Sequence, residues 1–249
     1  MRRYRQIASK ALKTKVMMEN PGLLPYIPKT TWYTPHTLDR MLAVFPTVFI
    51  KPDKGGGGAG ILRVQKEREG RFQICFRKVC RSVERFRLAG MVNGLLIPGK
   101  RYLIQQGIDL ARIQGRPVDI RILLQKPERK WVISGMVAKV AAQGQFVTNH
   151  SKGGKPVSLE KAFALIWGKE TPVASFLLDQ LKELALRTAF VLDSRFPGIK
   201  ELGIDVGADQ SGRLWIFEVN TRPQFQMFRK VQGPGFYTEI LKRHRQAAR

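Results

Sequence analysis

The chain has 249 residues, of which 43% are hydrophobic, so it can bury a sizeable core and is not an intrinsically disordered chain. Lysine and arginine outnumber acidic residues by 44 to 19, and the net charge of +25 predicts attraction to anionic polymers. The basic residues are scattered and no recognisable nucleic-acid-binding module accompanies them, so nucleic acid is not the favoured partner.

No apolar run approaches the ~18 residues of a membrane-spanning helix. The N-terminus is basic but lacks the apolar core of a signal peptide, which predicts a cytoplasmic protein. Cys75 and Cys80 do not form a zinc pattern with the three histidines of the chain, and a disulfide framework is not expected. Cys75 lies in an apolar run and is predicted to be a small core residue.

Helix and strand signals follow one another along the chain. Residues 1–30 predict a basic helix and a proline-rich connector, and Thr34 and Pro35 predict the start of a second helix, because Thr is a good N-cap and Pro suits the first turn. Further helices are predicted at residues 82–91, 173–193 and 236–245. Strands are predicted at residues 47–51, 61–65, 72–78, 101–105, 118–125 and 131–140. Residues 141–156 predict a polar loop, and the mixture of helices and antiparallel strands predicts an α+β protein.

A predicted hairpin near the C-terminus carries a candidate metal site. Two short strands flank the turn at residues 209–212, and with Asp209 opposite Gly212 the alternation of side chains places three polar residues on one face. These residues are Asp205, Glu218 and Asn220. Two carboxylates and an amide oxygen suit a hard cation such as Mg²⁺, although solvated surface carboxylates are the alternative interpretation. The opposite face is expected to be apolar and to carry Trp215, Phe217 and Val219.

A glycine-rich segment provides a candidate phosphate site. Five of the six residues from 55 to 60 are glycine, and the flanking segments predict strands rather than the strand and helix of a dinucleotide fold. A strand, loop and strand of this kind can fold over a nucleotide, with the backbone N–H groups of Gly55, Gly56, Gly57 and Gly58 facing phosphate oxygens. Lys51, at the end of the first strand, can place a positive charge there.

Two predicted strands carry charged residues among apolar neighbours. Asp119 and Arg121 lie on one face of the first strand, and Lys139 lies near the end of the second. An interior ion pair is one interpretation. The other is a set of cations directed at a phosphate group.

The order of these motifs, together with Gln105-Gln106-Gly107-Ile108 and Thr148-Asn149, closely resembles the ATP-grasp superfamily, and most closely its YheC/YheD-like, endospore coat-associated group. The resemblance runs from about Lys10 to Phe228. It implies an ATP-grasp fold in which the nucleotide lies between two α+β lobes. It also implies that the N-terminal domain that usually precedes the grasp is largely absent.

The resemblance assigns roles to particular residues. Cofactor-binding roles fall to the phosphate-binding Lys10 and Lys51, to the glycines at 55–58, and to Gln105, Gln106 and Ile108 at the interlobe hinge that contacts adenine. Arg121 and Lys139 would neutralise the transferred phosphate, and Asn149 would contact phosphate, metal or acceptor. The Mg²⁺ ligands would be Asp205, Glu218 and Asn220.

The resemblance also predicts the organisation of the chain. Residues 1–45 form a basic N-terminal segment and connector, residues 46–230 form the ATP-grasp domain, and residues 231–249 form a basic C-terminal helix. Within the domain, residues 46–108 are the smaller lobe and residues 109–230 the larger lobe with the metal site.

The implied activity is that of an ATP- and Mg²⁺-dependent carboxylate–amine or carboxylate–thiol ligase. It would act through an acylphosphate on a carboxylate and a nucleophile that the sequence does not name, in spore coat or envelope formation. Two alternatives stay open. One is a non-catalytic coat protein that docks to an anionic polymer, and the other is a kinase on the same scaffold.

Overall fold

A computed structural model describes residues 4–77, 79–145, 154–168, 172–231 and 233–247. The fold is α+β and contains two antiparallel sheets. Within the described residues, no helix is both long and apolar enough to cross a membrane.

The first sheet holds the glycine-rich segment. Its strands are β1 (Thr30–Trp32), β2 (Thr47–Pro52), β3 (Leu62–Lys66), β4 (Arg71–Phe76), β5 (Val79–Glu84) and β6 (Tyr102–Gln106). They lie side by side in the order β1-β6-β2-β3-β4-β5. Helices α2 (Pro35–Val44) and α3 (Arg85–Leu95) pack on one face around Leu42, Ile50 and Leu88. The alternating burial of β2 leaves the other face available to a ligand.

The second sheet holds the predicted metal hairpin. Its strands are β7 (Arg112–Ile113), β8 (Arg116–Gln125), β9 (Val132–Val140), β10 (Lys155–Val157), β11 (Glu201–Ala208) and β12 (Leu214–Asn220). Their order is β10-β9-β8-β11-β12, and β7 pairs with β8.

Helices cover both faces of the second sheet to different extents. One face packs against α1 (Lys10–Met18), α4 (Leu159–Trp167) and α5 (Pro172–Arg195). Helix α6 (Gly233–Ala247) packs on the opposite face, with Ile240 in a cluster with Leu123 and Val137. Beside this cluster the same face carries Arg121 and Lys139.

The predicted start of α2 is confirmed. The Thr34 hydroxyl accepts a hydrogen bond from the Thr37 N–H at 3.0 Å, and the Thr37 hydroxyl accepts one from the Thr34 N–H at 2.7 Å. This reciprocal cap satisfies two backbone donors that a helix start leaves unpaired.

Local sequence signals missed the short strands. Residues 82–84, predicted as helix, belong to β5, and α3 begins only at Arg85. Strands β1, β7 and β10 also escaped prediction, and β10 begins at Lys155, within the predicted loop at 141–156. These strands owe their conformation to pairing with a neighbour, which a local pattern does not reveal.

The cysteines form a disulfide between Cys75 and Cys80, so the expectation of no disulfide is wrong. Cys75 is buried as predicted, but it lies directly opposite Cys80 in the β4–β5 pair. Directly opposed positions of an antiparallel pair bring side chains close enough to join. The register of β4 and β5 therefore brings the two cysteines together.

Candidate functional site

A cavity of about 700 Å³ lies between the two sheets. The first sheet forms its roof with the side chains of Phe49 and Lys51, which alternate along β2 with the core residues Val48 and Ile50. The second sheet forms its floor, where the lining residues include Asp119, Lys139, Asp205, Phe217 and Glu218. The segment that joins the sheets, at residues 106–110, closes one end.

Buried ion pairs occupy the middle of the floor. Arg121 donates to both carboxylate oxygens of Asp205, from Nε at 2.8 Å and from Nη2 at 2.9 Å. Lys139 Nζ lies 2.8 Å from Asp205 Oδ1 and 3.0 Å from Asp119 Oδ1. Burial by itself would raise the pKa of Asp205, but Arg121 and Lys139 outweigh it and hold that pKa well below its ordinary value.

The strand register explains why these charges meet. Asp205 on β11 lies opposite Arg121 on β8, and Asp119 lies opposite Lys139 on β9. The interior ion pair that the sequence left as one alternative is therefore present, and Asp119, Lys139 and Asp205 also line the cleft. Three neighbouring strands hold them in one plane.

Lys51 extends from the roof toward the floor. Its Nζ contacts Gln105 Oε1 and lies 5.9 Å from the Phe49 ring centre and 5.8 Å from the Phe217 ring centre. Burial lowers the pKa of Lys51 to about 8, although Glu218 acts in the opposite direction. A desolvated ammonium between two rings attracts an anion more strongly than a solvated one.

The glycine segment is a loop between two strands, as predicted. Gly57 and Gly58 both have positive φ, of 66° and 71°, a backbone conformation that side-chain-bearing residues rarely adopt. Gly55 and Gly56 lie in the same loop, and the two have nothing within 4 Å of the position of an added Cβ. The space around these two positions is therefore open.

Lys10 links that loop to the floor. Its Nζ is 2.7 Å from the Gly55 carbonyl oxygen and 3.4 Å from Glu218 Oε1. Asp53, at the base of the loop, accepts hydrogen bonds from the Ser9 hydroxyl at 2.9 Å and the Ala11 N–H at 2.8 Å. The start of α1 is therefore attached to the loop, and Lys10 is close to both the loop and a predicted metal ligand.

Lys13 is a further buried cation that sequence reasoning missed. It is 3% exposed and its Nζ donates to the Ile7 carbonyl oxygen at 2.6 Å. Burial lowers its pKa to about 8, while the charge of Glu218 acts in the opposite direction. Its spacing of three residues from Lys10 on a helix was the available signal, since such residues share a face.

The hinge residues lie at the closed end of the cleft. Gln105, Gln106 and Ile108 all line it, and the Gln106 side-chain oxygen accepts a hydrogen bond from the Lys29 N–H at 3.2 Å. Gly107 donates to the Thr47 carbonyl oxygen at 2.8 Å, and a Cβ at this position would come within 2.9 Å of that oxygen. This close approach requires glycine.

The hairpin brings the three predicted metal ligands together. Asp205 pairs with Glu218, and Asn220 pairs with Gly203 two residues away, so all three lie on one face. The donor set of two carboxylates and an amide oxygen fits Mg²⁺. No cluster of three His, Cys, Asp or Glu residues exists in the described parts of the chain, so the fit depends on the amide of Asn220.

A β-bulge corrects the prediction for the apolar face. The pairing shifts between Asp205 and Val206, which leaves Phe217 as the extra residue on β12. Val219 packs in the helix-covered core as predicted, but Phe217 lines the cleft. Trp215 lies outside that core cluster, and its indole N–H donates to Asp209 Oδ2 at 3.0 Å. Asn149 lies outside the described residues.

Two antiparallel sheets around a cleft, with a glycine hairpin in the roof and a carboxylate-bearing hairpin in the floor, define the ATP-grasp fold. Within that class, the chain belongs to the YheC/D-like ATP-grasp family, whose pattern it matches over residues 4–248.

Two curated relatives are proteins of Bacillus subtilis (strain 168). The endospore coat-associated protein YheD is 27% identical over 224 residues, which cover 86% of this chain and 48% of that protein. The endospore coat-associated protein YheC is 24% identical over 248 residues, which cover 91% of this chain and 64% of that protein. The chain thus spans less than two thirds of the length of either relative.

Solved structures share the fold at low identity. The ATP-grasp ligase PsnB, complexed with a phosphomimetic variant of its minimal precursor, Mg and ADP, matches with a TM-score of 0.56 and 15% identity, over 96% of this chain and 58% of that chain. The ADP complex of N5-carboxyaminoimidazole ribonucleotide synthetase matches with a TM-score of 0.52 and 12% identity, over 87% and 45% of the two chains.

Proposed function

We propose that this chain is an ATP- and Mg²⁺-dependent ligase that activates a carboxylate as an acylphosphate and transfers the acyl group to an amine or thiol. The observation that carries the proposal is the convergence of Lys51, Lys139, Asp205 and Glu218 in one cleft, where Arg121 holds Asp205 from below. Lys10 links Glu218 to the glycine loop. PsnB, which shares the fold, has been solved with a precursor peptide and AMPPNP and with Mg and ADP, and this supports nucleotide and metal binding here.

In this proposal the adenine lies at the hinge near Gln105, Gln106 and Ile108. Phe217 supplies an apolar surface on the floor, and Phe49 supplies one on the roof. The phosphates extend toward the N–H groups of the glycines at 55–58, with Lys51 and Lys10 as cations on either side.

The reaction would proceed in two displacements. A carboxylate oxygen of the substrate attacks the γ-phosphorus of ATP, and ADP leaves. The nucleophile then attacks the acyl carbon, and inorganic phosphate leaves. Arg121 and Lys139 would bind the transferred group, since fixed cations stabilise the charge that develops on its oxygens. Asp205, Glu218 and Asn220 would hold Mg²⁺, which would offset phosphate charge, and Asn149 is proposed to contact the phosphate or the acceptor.

The division of the chain follows the same proposal. Residues 46–108 would form the smaller lobe and residues 109–230 the larger lobe, flanked by the segments 1–45 and 231–249. The names of the B. subtilis relatives support a role in spore coat or envelope formation, and hence spore association.

Isothermal titration of ATP with Mg²⁺ tests the nucleotide site. The wild-type protein should bind ATP in a Mg²⁺-dependent manner, and Glu218→Gln should abolish this dependence and ATP turnover while the fold is retained. Glu183→Gln is the matched control, because Glu183 is an exposed residue of α5 that pairs with Arg187. Near-normal turnover by Glu218→Gln would contradict the assignment.

Product analysis separates the alternatives. A ligase releases ADP and phosphate in equal amounts with the coupled product, whereas a kinase yields ADP and a stable phosphorylated product. If the wild-type protein binds no nucleotide but binds anionic polymer, the non-catalytic coat protein is the better interpretation, since the net charge of +25 favours such a partner.

A further inference from the structure

Three arginines line the cleft away from the reactive charges. Arg63 projects from β3 in the roof, and Arg112 and Arg116 project from the β7–β8 hairpin in the floor. Arg116 precedes Asp119 by three residues on β8, which separates the two by about 10 Å along the strand. The arginines therefore lie near the hinge end of the cleft, and the function proposed above assigns them no role.

Neighbouring groups orient each guanidinium. Arg63 Nη2 donates to Gln73 Oε1 at 2.6 Å, and Arg116 Nη2 donates to Gln114 Oε1 at 3.3 Å. Arg112 donates from Nη1 to the Gly115 carbonyl oxygen at 3.1 Å, and its Nη2 lies 3.2 Å from Asp109 Oδ1. The Asp109 side chain is 71% exposed, so solvent screens the charge that it contributes.

The roof and floor arginines repel each other. Arg63 and Arg112 line the same cavity from opposite sheets. Burial lowers the pKa of Arg63, and the positive charge of Arg112 lowers it further. Like charges in a partly buried site are unfavourable unless an anion lies between them. The planar guanidinium group presents paired donors that match two oxygens of a carboxylate or phosphate.

We propose that Arg63, Arg112 and Arg116 form an oxyanion subsite, which binds a phosphate or carboxylate group distinct from the transferred phosphates. The inference rests on the proposed function only for the position of the nucleotide. The oxyanion has two chemical sources at this place. It is either a phosphate or a carboxylate of an acceptor that enters beside the nucleotide.

Titrations at fixed, low ionic strength test the subsite with two probes. One arm compares adenosine 3′,5′-bisphosphate with AMP, and the other titrates triglutamate with and without saturating ADP. The proteins are the wild type, Arg112→Gln/Arg116→Gln and Arg112→Lys/Arg116→Lys. Arg40→Gln, at an exposed position of α2, is the control for loss of a surface charge.

We expect the affinity of the glutamine variant for one of the two probes to be at least tenfold lower than that of the wild type. The affinity of the Arg40→Gln control for both probes, and the affinity of the glutamine variant for AMP, should change less than twofold. Loss in the bisphosphate arm alone identifies a phosphate-bearing acceptor, and loss in the triglutamate arm identifies a carboxylate-bearing acceptor. The lysine variant should recover only part of the affinity, because an ammonium lacks the paired donors.

If each probe binds the glutamine variant as tightly as it binds the wild type, the proposed subsite is wrong. It is also wrong if neither probe binds the wild type better than AMP does. The triglutamate titration without ADP tests the subsite independently of nucleotide binding, so failure of the subsite can be distinguished from failure of the proposed function. If ADP does not bind at all, the proposed function fails, but arginine-dependent binding of triglutamate still supports the subsite.

Discussion

Arg121 and Asp205 form a bidentate ion pair on the floor of the cleft, and the same carboxylate also accepts a hydrogen bond from Lys139 at 2.8 Å. Asp205 is also a proposed Mg²⁺ ligand. In this structure its charge is already neutralised by two cations. Metal binding therefore requires that Arg121 and Lys139 pair with other anions in place of Asp205. The phosphates of a nucleotide can serve as those anions.

This relationship predicts that metal binding depends on nucleotide. The protein alone should bind Mn²⁺, used as a paramagnetic substitute for Mg²⁺, only weakly, and ADP should strengthen the binding at least tenfold. By thermodynamic reciprocity, Mn²⁺ should strengthen ADP binding by the same factor. Electron paramagnetic resonance of free Mn²⁺ measures this directly. Equal Mn²⁺ affinity with and without ADP, after correction for Mn²⁺–ADP in solution, would show that the ion pair does not compete with the metal.

Lys51 predicts a pH dependence of nucleotide affinity. Burial lowers its pKa to about 8, so the side chain is charged below pH 8 and neutral above it. Because the charged form binds phosphate, affinity for ADP should fall as the pH rises through about 8, approaching a tenfold loss per pH unit where one proton is taken up on binding. Titration calorimetry between pH 7 and pH 9.5 measures the trend.

Two variants assign this pH dependence to a residue. Lys51→Arg should bind with little change over the same range, because arginine stays charged. Lys13 also has a pKa lowered to about 8. Lys13→Met should therefore keep the fall in affinity if Lys51 is responsible. A fall that survives in Lys51→Arg and disappears in Lys13→Met would transfer the effect to Lys13.

The close packing at Gly203 leaves no room for a side chain beside the Arg121–Asp205 ion pair. A Cβ at this position would lie 2.6 Å from Pro223 Cβ and 3.2 Å from Arg121 Nη1. Gly203→Ala should lower the free energy of unfolding by about 1–3 kcal/mol and weaken nucleotide binding through displacement of Arg121. Gly235→Ala, in α6 with nothing within 4 Å, is the control and should be neutral or stabilising. Thermal unfolding and ADP titration of both variants decide between these outcomes.

The disulfide predicts a dependence of stability on redox conditions. Cys75 and Cys80 are five residues apart. A disulfide that closes a loop of this size stabilises the folded protein by about 2 kcal/mol, because it restricts the conformations of the unfolded chain. Reduction should therefore lower the Tm by about 4–8 °C. Cys75→Ser/Cys80→Ser should melt at the lower temperature with or without reductant. A wild-type Tm that does not respond to complete reduction would contradict this prediction.

Much of the fold was predictable because its elements have strong local signals. Thr34 and Pro35 marked the start of α2, and the glycine run marked a turn between two strands. Strands β5 and β10 were missed because they depend on pairing with neighbouring strands. The resemblance to ATP-grasp proteins added the order of the motifs, which no single motif could supply.

The sequence by itself determined which side chains share a face, since alternation along a strand is a property of the backbone. It therefore predicted that Asp119 and Arg121 point the same way. It also predicted that Asp205, Glu218 and Asn220 share a face, but from a pairing of Asp209 with Gly212 that is wrong. Ala208 lies opposite Leu214, and the three residues share a face because the bulge shifts the register beyond that point. Only the tertiary structure decided which faces meet. The pairing of β8 with β11 joined Arg121 to Asp205, and the bulge at Phe217 placed Glu218 opposite Asp205.

The packing of the two sheets likewise brought Arg63 and Arg112 into the lining of one cavity. These relationships join residues far apart in the chain. They depend on sheet register and on the hinge between the sheets, and neither leaves a periodic signal in the local sequence.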